Sequence, residues 1–194
     1  KVNTTGIANE PAGFTADQLR DASKFLRAAL NARGLQDVGI IGAECASPDA
    51  CATRSTTAMK NDPVTWAGLR GVATHSYNMG ANAAVEGLIS GTDKEYWITE
   101  AGKGLPSLVD EQPGDVIEAS TVAARFLNDM NHSVTHWFWF IGVGCKDDYS
   151  SDAGQVLARP DDATNGIKLN TKYHYLKQLR AAFDIGAVFH ESIS

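Results

Sequence analysis

The sequence predicts an α/β protein built from repeated strand–helix units. Three observations support this: short apolar runs of strand length, amphipathic helical patterns between them, and polar residues where each run ends. Most runs are continuously apolar, as expected for parallel strands that are covered on both faces. With 194 residues, 43% of them hydrophobic and 21% charged, the chain is expected to form one globular domain over residues 1–194.

Five strands and five helices are predicted. The predicted strands are residues 5–8, 38–42, 69–74, 96–99 and 135–141. The first helix begins at a capping box from Thr15 to Gln18 and ends at Gly34. The other predicted helices are residues 63–66, 81–88, 116–130 and 171–182. Residues 144–170 are rich in Gly, Asp, Ser and Asn, which predicts a long loop with room for a short hairpin. Strand and helix in alternation predict right-handed βαβ units.

Composition argues against several classes of protein. The net charge is −6 and no basic block occurs, so we expect no nucleic-acid partner. No apolar run approaches the roughly 20 residues that span a bilayer, so we expect no membrane span. No Gly-rich phosphate-binding motif appears, which argues against nucleotides.

The cysteines and sequons bear on the compartment. Cys45 and Cys51 are near enough to close a short disulfide loop, and Cys145 leaves the pairing open. No Cys/His spacing predicts a zinc site. Asn3 and Asn131 each begin an N-glycosylation triplet. Together these features favour a secreted, extracellular glycoprotein.

Every predicted strand carries polar or aromatic candidates within it or just after it. They are Asn9 and Glu10 after the first strand, Glu44 after the second, His75 and Tyr77 after the third, Glu100 after the fourth, and Trp137 and Trp139 within the fifth. Barrels and doubly wound sheets both build ligand sites at this edge. Each residue also has an ordinary alternative: solvated carboxylates, a hydrogen-bonded histidine, and tryptophans in the core.

Glu10 and Glu100 are the most informative pair, because both end an apolar strand. A lone carboxylate at a strand end is usually solvated, whereas two in matching positions can flank one glycosidic bond. Retaining glycoside hydrolysis uses two carboxyl groups about 5–5.5 Å apart. One must be protonated and the other ionised, so their surroundings must separate their pKa values.

Several motifs in a fixed order resemble those of a known enzyme group. They are "NEP", "VATHSYN", "WITEAG" and "THWFWF", followed by "KYHYLKQLRAAFDIGAVFH". The set resembles clan A glycoside hydrolases, and most closely glycoside hydrolase family 30, of the glucosylceramidase and endo-β-1,6-glycanase type. The resemblance covers nearly the whole chain. It implies a (β/α)8 TIM barrel and a retaining β-glycoside hydrolase that needs no cofactor and no metal.

The resemblance also implies roles for the matching residues. Glu10 would be the acid/base, Glu100 the nucleophile, and Asn9 would bind the sugar's 2-hydroxyl. The other implied substrate-site residues are Tyr77 beside the nucleophile, His75 lining the pocket, Trp139 or in its place Trp137 stacking on the sugar, and Glu44 in a further subsite.

The resemblance leaves the barrel incomplete. If Glu10 ends strand four, the chain supplies strands four to eight, and strands one to three are not in it. A full barrel needs about 250 residues. We therefore expect a partner, either an amino-terminal half-barrel chain or a second copy, besides a β-linked carbohydrate substrate. The alternative is a non-catalytic carbohydrate-binding protein or a half-barrel fragment that needs its partner.

Overall fold

The computed structural model describes residues 4–8, 13–77, 82–102, 115–144, 156–161 and 163–188. It divides into two compact units. The first comprises Lys1–Glu100 and His132–Trp137, and the second comprises Ala101–Asn131 and Phe138–Ser194. That residues 1–194 form a single domain stays a prediction.

The predicted strands and helices are present, with shifted ends. The elements are β1 (Thr4–Ala8), α1 (Ala16–Asn31), β2 (Gly39–Cys45), α2 (Ala50–Lys60), α3 (Pro63–Gly68), β3 (Gly71–Ser76), α4 (Asn82–Ile89), β4 (Glu95–Ala101), α5 (Asp115–Asn131), β5 (His136–Trp139), β6 (Ala158–Asp161), β7 (Gly166–Leu169) and α6 (Thr171–Ala182). Of the helices in the described residues, none has the length and apolar character to cross a membrane.

Strands β1 to β5 form one sheet in sequential order. β1 pairs with β2, and β2 with β3, in parallel. β3 and β4 also run in one direction, because Arg70 bonds Glu95 where they begin and Tyr77 bonds Glu100 where they end. Their close approach requires Gly71, since a Cβ there would lie 2.5 Å from the Glu95 carbonyl oxygen. Parallel neighbours joined through helices are the βαβ units that the sequence predicts.

Each face of the sheet in the first unit is buried. Ile41, Ala73 and Trp97 form one buried cluster on one face. On the other face α1 and α2 pack on β2, and the Tyr96 hydroxyl donates to Asn82 of α4 at 2.8 Å. Burial on both sides explains why the strands are continuously apolar in sequence.

Helix α1 begins as its sequence predicts. The Thr15 hydroxyl accepts from the Gln18 N–H at 3.2 Å, and the Gln18 side chain accepts from the Thr15 N–H at 2.8 Å. This capping box satisfies two backbone donors that the first turn leaves open. Leu19 is fully buried. Gly34 follows the end of the helix and has a φ of +73°. A side chain would strain that conformation, so a glycine suits it.

Helix α2 is absent from the sequence-based prediction. Its residues are mainly Ala, Ser and Thr, so it has no clear apolar stripe, and hydroxyl residues are weak helix formers. Asp49 caps it by accepting from the Cys51 N–H at 2.8 Å. The helix buries small side chains such as Thr56 as well as Met59. Tertiary packing therefore stabilises a helix that its hydrophobic pattern does not reveal.

Strand β2 contains a bulge near its carboxyl end. Ala43 pairs with Ala73, but the next pair is Cys45 with Thr74. Glu44 is thus an extra residue, and it has a φ of 54°. An extra residue reverses the alternation of faces beyond it. The prediction that β2 ends before Glu44 is therefore wrong: the strand continues through it.

The bulge turns Cys45 toward the helices, where it bonds Cys51. Cys45 now shares a face with Thr74, whose hydroxyl donates to the Cys45 carbonyl at 2.8 Å. The disulfide between Cys45 and Cys51 links the end of β2 to the first turn of α2. The sequence-based expectation of a short disulfide loop is met by this pair.

The second unit contains α5, α6 and a hairpin. The Phe126 ring of α5 meets Phe183, which follows α6, edge to face at 5.0 Å. β6 and β7 pair antiparallel within the segment predicted as a long loop. Asn170 connects this hairpin to the preceding chain by donating to the Val156 carbonyl at 2.7 Å.

We predict that losing the disulfide destabilises the chain without unfolding it. Cys51→Ser should lower the free energy of unfolding by about 2 kcal/mol, the value expected for closing so short a loop. Urea denaturation followed by circular dichroism would measure this change. Dithiothreitol should destabilise the parent chain by a similar amount and leave Cys51→Ser unaffected. Equal sensitivity of both chains to dithiothreitol would contradict the prediction.

Candidate active site

Four of the predicted site residues meet at the carboxyl ends of β2, β3 and β4. They are Glu44, His75, Tyr77 and Glu100, and all lie in the first unit. Parallel pairing brings these strand ends to one edge of the sheet. Asn9 and Glu10 lie outside the described residues, so the distance between Glu10 and Glu100 stays untested.

Glu100 lies within β4, one residue before the strand ends, and not beyond the strand as predicted. The Tyr77 hydroxyl donates to its Oε2 at 2.8 Å. The Nδ1 atom of His75 lies 3.4 Å from the same oxygen. The side chain is 35% exposed, which leaves room for a ligand to approach.

Glu44 is more enclosed than Glu100, with 12% of its side chain exposed. The Thr99 hydroxyl donates to its Oε2 at 2.5 Å. The Nε2 atom of His75 lies 3.4 Å from that oxygen. The bulge explains this placement, since regular alternation would turn the Glu44 side chain away from His75.

His75 therefore lies between two carboxylates that come from different strands. It is 8% exposed, and its ring meets that of Tyr77 edge to face at 5.7 Å. Alternation along β3 places His75 and Tyr77 on one side of the strand, so both can reach Glu100. The result is a continuous chain of polar contacts: Thr99, Glu44, His75, Glu100 and Tyr77.

The two tryptophans have a different setting. Trp137 and Trp139 lie on β5 and are half-buried. His136 directly precedes Trp137, and its ring stacks on Trp97 with 3.7 Å between ring centroids and an interplanar angle of 8°. Alternation then directs Trp137 to the opposite side of the strand from His136. Trp139 belongs to the second unit, and the role of both tryptophans as sugar platforms stays a prediction.

Sequence reasoning missed Thr99 as part of the site. It precedes Glu100 directly, and strict alternation would place the two on opposite faces. No pattern in the sequence reveals the bulge that brings Glu44 to Thr99. In the described stretches, no group of three or more His, Cys, Asp or Glu side chains is placed to hold a metal ion.

A second polar cluster lies at the amino ends of β3, β4 and β5. The Arg70 guanidinium donates to both oxygens of Glu95 at 2.9 and 3.0 Å, and the Trp97 indole donates to Glu95 at 2.8 Å. His136 stacks on that indole. Sequence analysis did not identify this cluster, because its residues come from separate strands and form no short motif.

The cluster lowers the pKa values of both Glu95 and His136, which favours the charged form of Glu95 and the uncharged form of His136. Burial of Glu95 favours its neutral form, but the hydrogen bonds from Arg70 and Trp97 outweigh this and hold the pKa of Glu95 below its usual value. Burial lowers the pKa of His136, although Glu95 opposes that effect. Near neutral pH the cluster therefore holds an ionised Glu95 and an uncharged His136.

Comparison with known proteins gives a likeness of fold. No protein-family model matches the chain, and no curated protein matches it either. Many solved structures match it, and three of them serve as examples. SrfJ from Salmonella typhimurium is 13% identical with a TM-score of 0.76, and the match covers 91% of this chain and 41% of that one. The glycoside hydrolase family 30 subfamily 8 xylanase Xyn30A from Clostridium acetobutylicum is 18% identical with a TM-score of 0.57, and the match covers 87% of this chain and 36% of that one. The endo-β1,6-glucanase BT3312 is 17% identical with a TM-score of 0.69, and the match covers 91% of this chain and 42% of that one.

These matches confirm the predicted fold class and the resemblance to family 30 as a likeness of fold. The chain has the α/β architecture of TIM-barrel glycoside hydrolases over about nine tenths of its length. It spans only about two fifths of the solved structures, as expected for part of a barrel. Identities below 20% do not transfer an activity.

We predict that acid destabilises the first unit through His136. Because the pKa of His136 is lower in the folded chain than in the unfolded chain, the unfolded chain binds a proton first as the pH falls. The free energy of unfolding therefore decreases below about pH 6.5. His136→Phe keeps an aromatic ring on Trp97 but cannot titrate. Urea denaturation between pH 7.5 and 5 should show a shallower loss for this variant, by at most about 1.4 kcal/mol per pH unit. An identical pH slope would contradict the prediction.

Proposed function

We propose that the chain is part of the catalytic barrel of a retaining β-glycoside hydrolase of the family 30 type. The observation that carries the proposal is Glu100: a partly exposed carboxylate at the carboxyl end of β4, with the Tyr77 hydroxyl on one oxygen. Active sites of TIM barrels lie at this end of the strands. The likeness of fold to glycoside hydrolases supports the same conclusion.

The proposed reaction has two displacements. Glu100 attacks the anomeric carbon while Glu10 gives its proton to the leaving oxygen, which forms a glycosyl ester and breaks the glycosidic bond. Glu10 then takes a proton from water, whose oxygen displaces Glu100 and restores both carboxyl groups. Two inversions retain the configuration. Asn9 would hold the 2-hydroxyl, and no metal or organic cofactor takes part.

The described neighbours of Glu100 suit a nucleophile. The Tyr77 hydroxyl holds one oxygen of the carboxylate and carries no charge of its own. His75 adds a second polar contact to the same oxygen from its buried position. Tyr77 and His75 thus support and orient Glu100. A nucleophile needs such support because it must attack the anomeric carbon from one direction.

The proposed substrate is a neutral β-linked glycoside, oligosaccharide or polysaccharide. Two matching solved structures are described as a xylanase and an endo-β1,6-glucanase, so β-linked backbones are the first to test. Trp139 and Trp137 would offer aromatic faces to the apolar side of a sugar ring. We also propose that the protein is secreted and glycosylated at Asn3 and Asn131. The Cys45–Cys51 disulfide is compatible with an oxidising compartment.

A second candidate function follows from the share of the matching structures that this chain covers. Because the chain covers about two fifths of the matching structures, it would need an amino-terminal half-barrel chain or a second copy to complete the site. Alone, it would then bind carbohydrate weakly or not at all and would show little turnover. Substantial turnover by the isolated 194 residues would exclude this candidate.

Mechanism-based labelling tests the main proposal. We expect an activated 2-fluoro β-glycoside to leave its sugar on Glu100, in the native preparation with any co-purifying chain. Trypsin releases Glu100 on the peptide of residues 95–103, which also holds Glu95, so fragment ions must assign the ester. Glu100→Gln should abolish the label and Glu95→Gln should retain it. A label on Glu95, or none on a folded chain that binds sugar, would refute the proposed nucleophile.

Tyr77→Phe should weaken catalysis more than folding. Losing one hydrogen bond to a charged group costs about 1.5–3 kcal/mol, so kcat/KM should fall roughly 10- to 100-fold.

Tyr96→Phe is the matched control for that prediction. It removes the same hydroxyl from the helix-facing side of β4, where the partner is Asn82. It should lower stability by about 1 kcal/mol and leave kcat/KM close to the value of the parent chain. Equal losses of kcat/KM in both variants would show that Tyr77 has no special relation to Glu100.

A further inference from the structure

Glu44 has a setting that differs from that of a sugar-binding carboxylate. Only 12% of its side chain is exposed. Its Oε2 atom already accepts from Thr99 at 2.5 Å and faces His75 at 3.4 Å. A carboxylate that binds sugar hydroxyls needs its oxygens open to the ligand, whereas the Oε2 atom of Glu44 is engaged with Thr99 and His75.

His75 connects Glu44 to Glu100. Its Nε2 faces one carboxylate and its Nδ1 faces the other, each at 3.4 Å. These distances exceed those of ordinary hydrogen bonds, but a charge on the imidazole would act on both carboxylates across them. A neutral imidazole has a donor at only one nitrogen, which would leave a lone pair facing one carboxylate. An imidazolium presents a donor to both.

We propose that Glu44 is a positioning residue that acts on the nucleophile Glu100 through His75, by keeping the positive charge of the imidazolium beside it. This inference rests on the proposed function for the identity of the nucleophile. It is an alternative to the sequence-based prediction that Glu44 forms a subsite. Glu44 itself does not touch the reacting atoms.

The local fold holds Glu44 in this position. It is the extra residue of the bulge, with a φ of 54° that non-glycine residues seldom adopt. The next residue, Cys45, is fixed to α2 by its disulfide with Cys51. Strained backbone that surrounding structure maintains is often found at functional sites.

The groups that set the charge of His75 come from three strands. In the described part of the chain, the titratable groups in contact with it are Glu44 from β2, Tyr77 after β3 and Glu100 from β4. Tyr77 is uncharged below about pH 10, so the two glutamates supply the negative charge. Burial of the ring opposes its protonation, and the carboxylates favour it.

Nuclear magnetic resonance of the full 194-residue chain tests this coupling without any substrate. The His75 ring signal, assigned with His75→Gln, would be followed from pH 4 to 9. In Glu44→Gln we expect its titration midpoint to fall by about one pH unit, which is a tenfold loss of proton affinity. An unchanged His75 midpoint in a folded Glu44→Gln chain would overturn the proposal.

Glu86→Gln is the matched control. Glu86 contacts a different histidine, His132, at 3.0 Å. Removing its charge should leave the His75 midpoint unchanged. A shift as large as that in Glu44→Gln would mean that any lost carboxylate moves the signal, and would overturn a specific role for Glu44.

The parent chain provides a second measurement if Glu44→Gln does not fold. With carboxyl carbons labelled, Glu44 and Glu100 should both show an inflection at the His75 midpoint, as coupled groups do. No inflection at Glu44 would overturn the proposal. The two proposals fail separately: a labelled Glu100 without coupling would remove only the positioning role. Coupling without any label would remove only the glycosidase function.

Discussion

The bulge at Glu44 is the constraint on which the site depends. One extra residue between the Ala43 and Cys45 pairings exchanges the faces of β2 at its carboxyl end. Glu44 thereby meets His75, and Cys45 turns to the helix side and bonds Cys51. A regular strand would place Cys45 on the face of His75 and Glu44 under α2. The site and the disulfide therefore have a single geometric cause.

The alternation of elements could be predicted because it depends on local patterns. Continuous apolar runs predict buried parallel strands, and the capping box at Thr15 fixes the start of α1. Helix α2 could not be predicted in this way, because packing against β2 and α1 stabilises a sequence of small and hydroxyl residues. Its capping residue, Asp49, was the available signal.

The site was predictable in its membership but not in its connections. Polar residues near strand ends identified Glu44, His75, Tyr77 and Glu100, because parallel strands bring those ends together. The order of contacts among them depends on register, which the sequence does not determine. Glu44 shows this dependence: the bulge brings its carboxylate to His75 and Thr99, while its predicted place in a subsite stays a prediction.

The two glutamates of β4 have different neighbours, which suits a structural role for Glu95 and the nucleophile role proposed for Glu100. Glu95 at the amino end receives both arms of Arg70 and the Trp97 indole, so its charge is compensated by a cation. Glu100 at the other end accepts from the neutral hydroxyl of Tyr77. The guanidinium donates to both oxygens of Glu95, whereas the Tyr77 hydroxyl donates to one oxygen of Glu100. The same residue type on one strand thus supports the fold at one end and suits chemistry at the other.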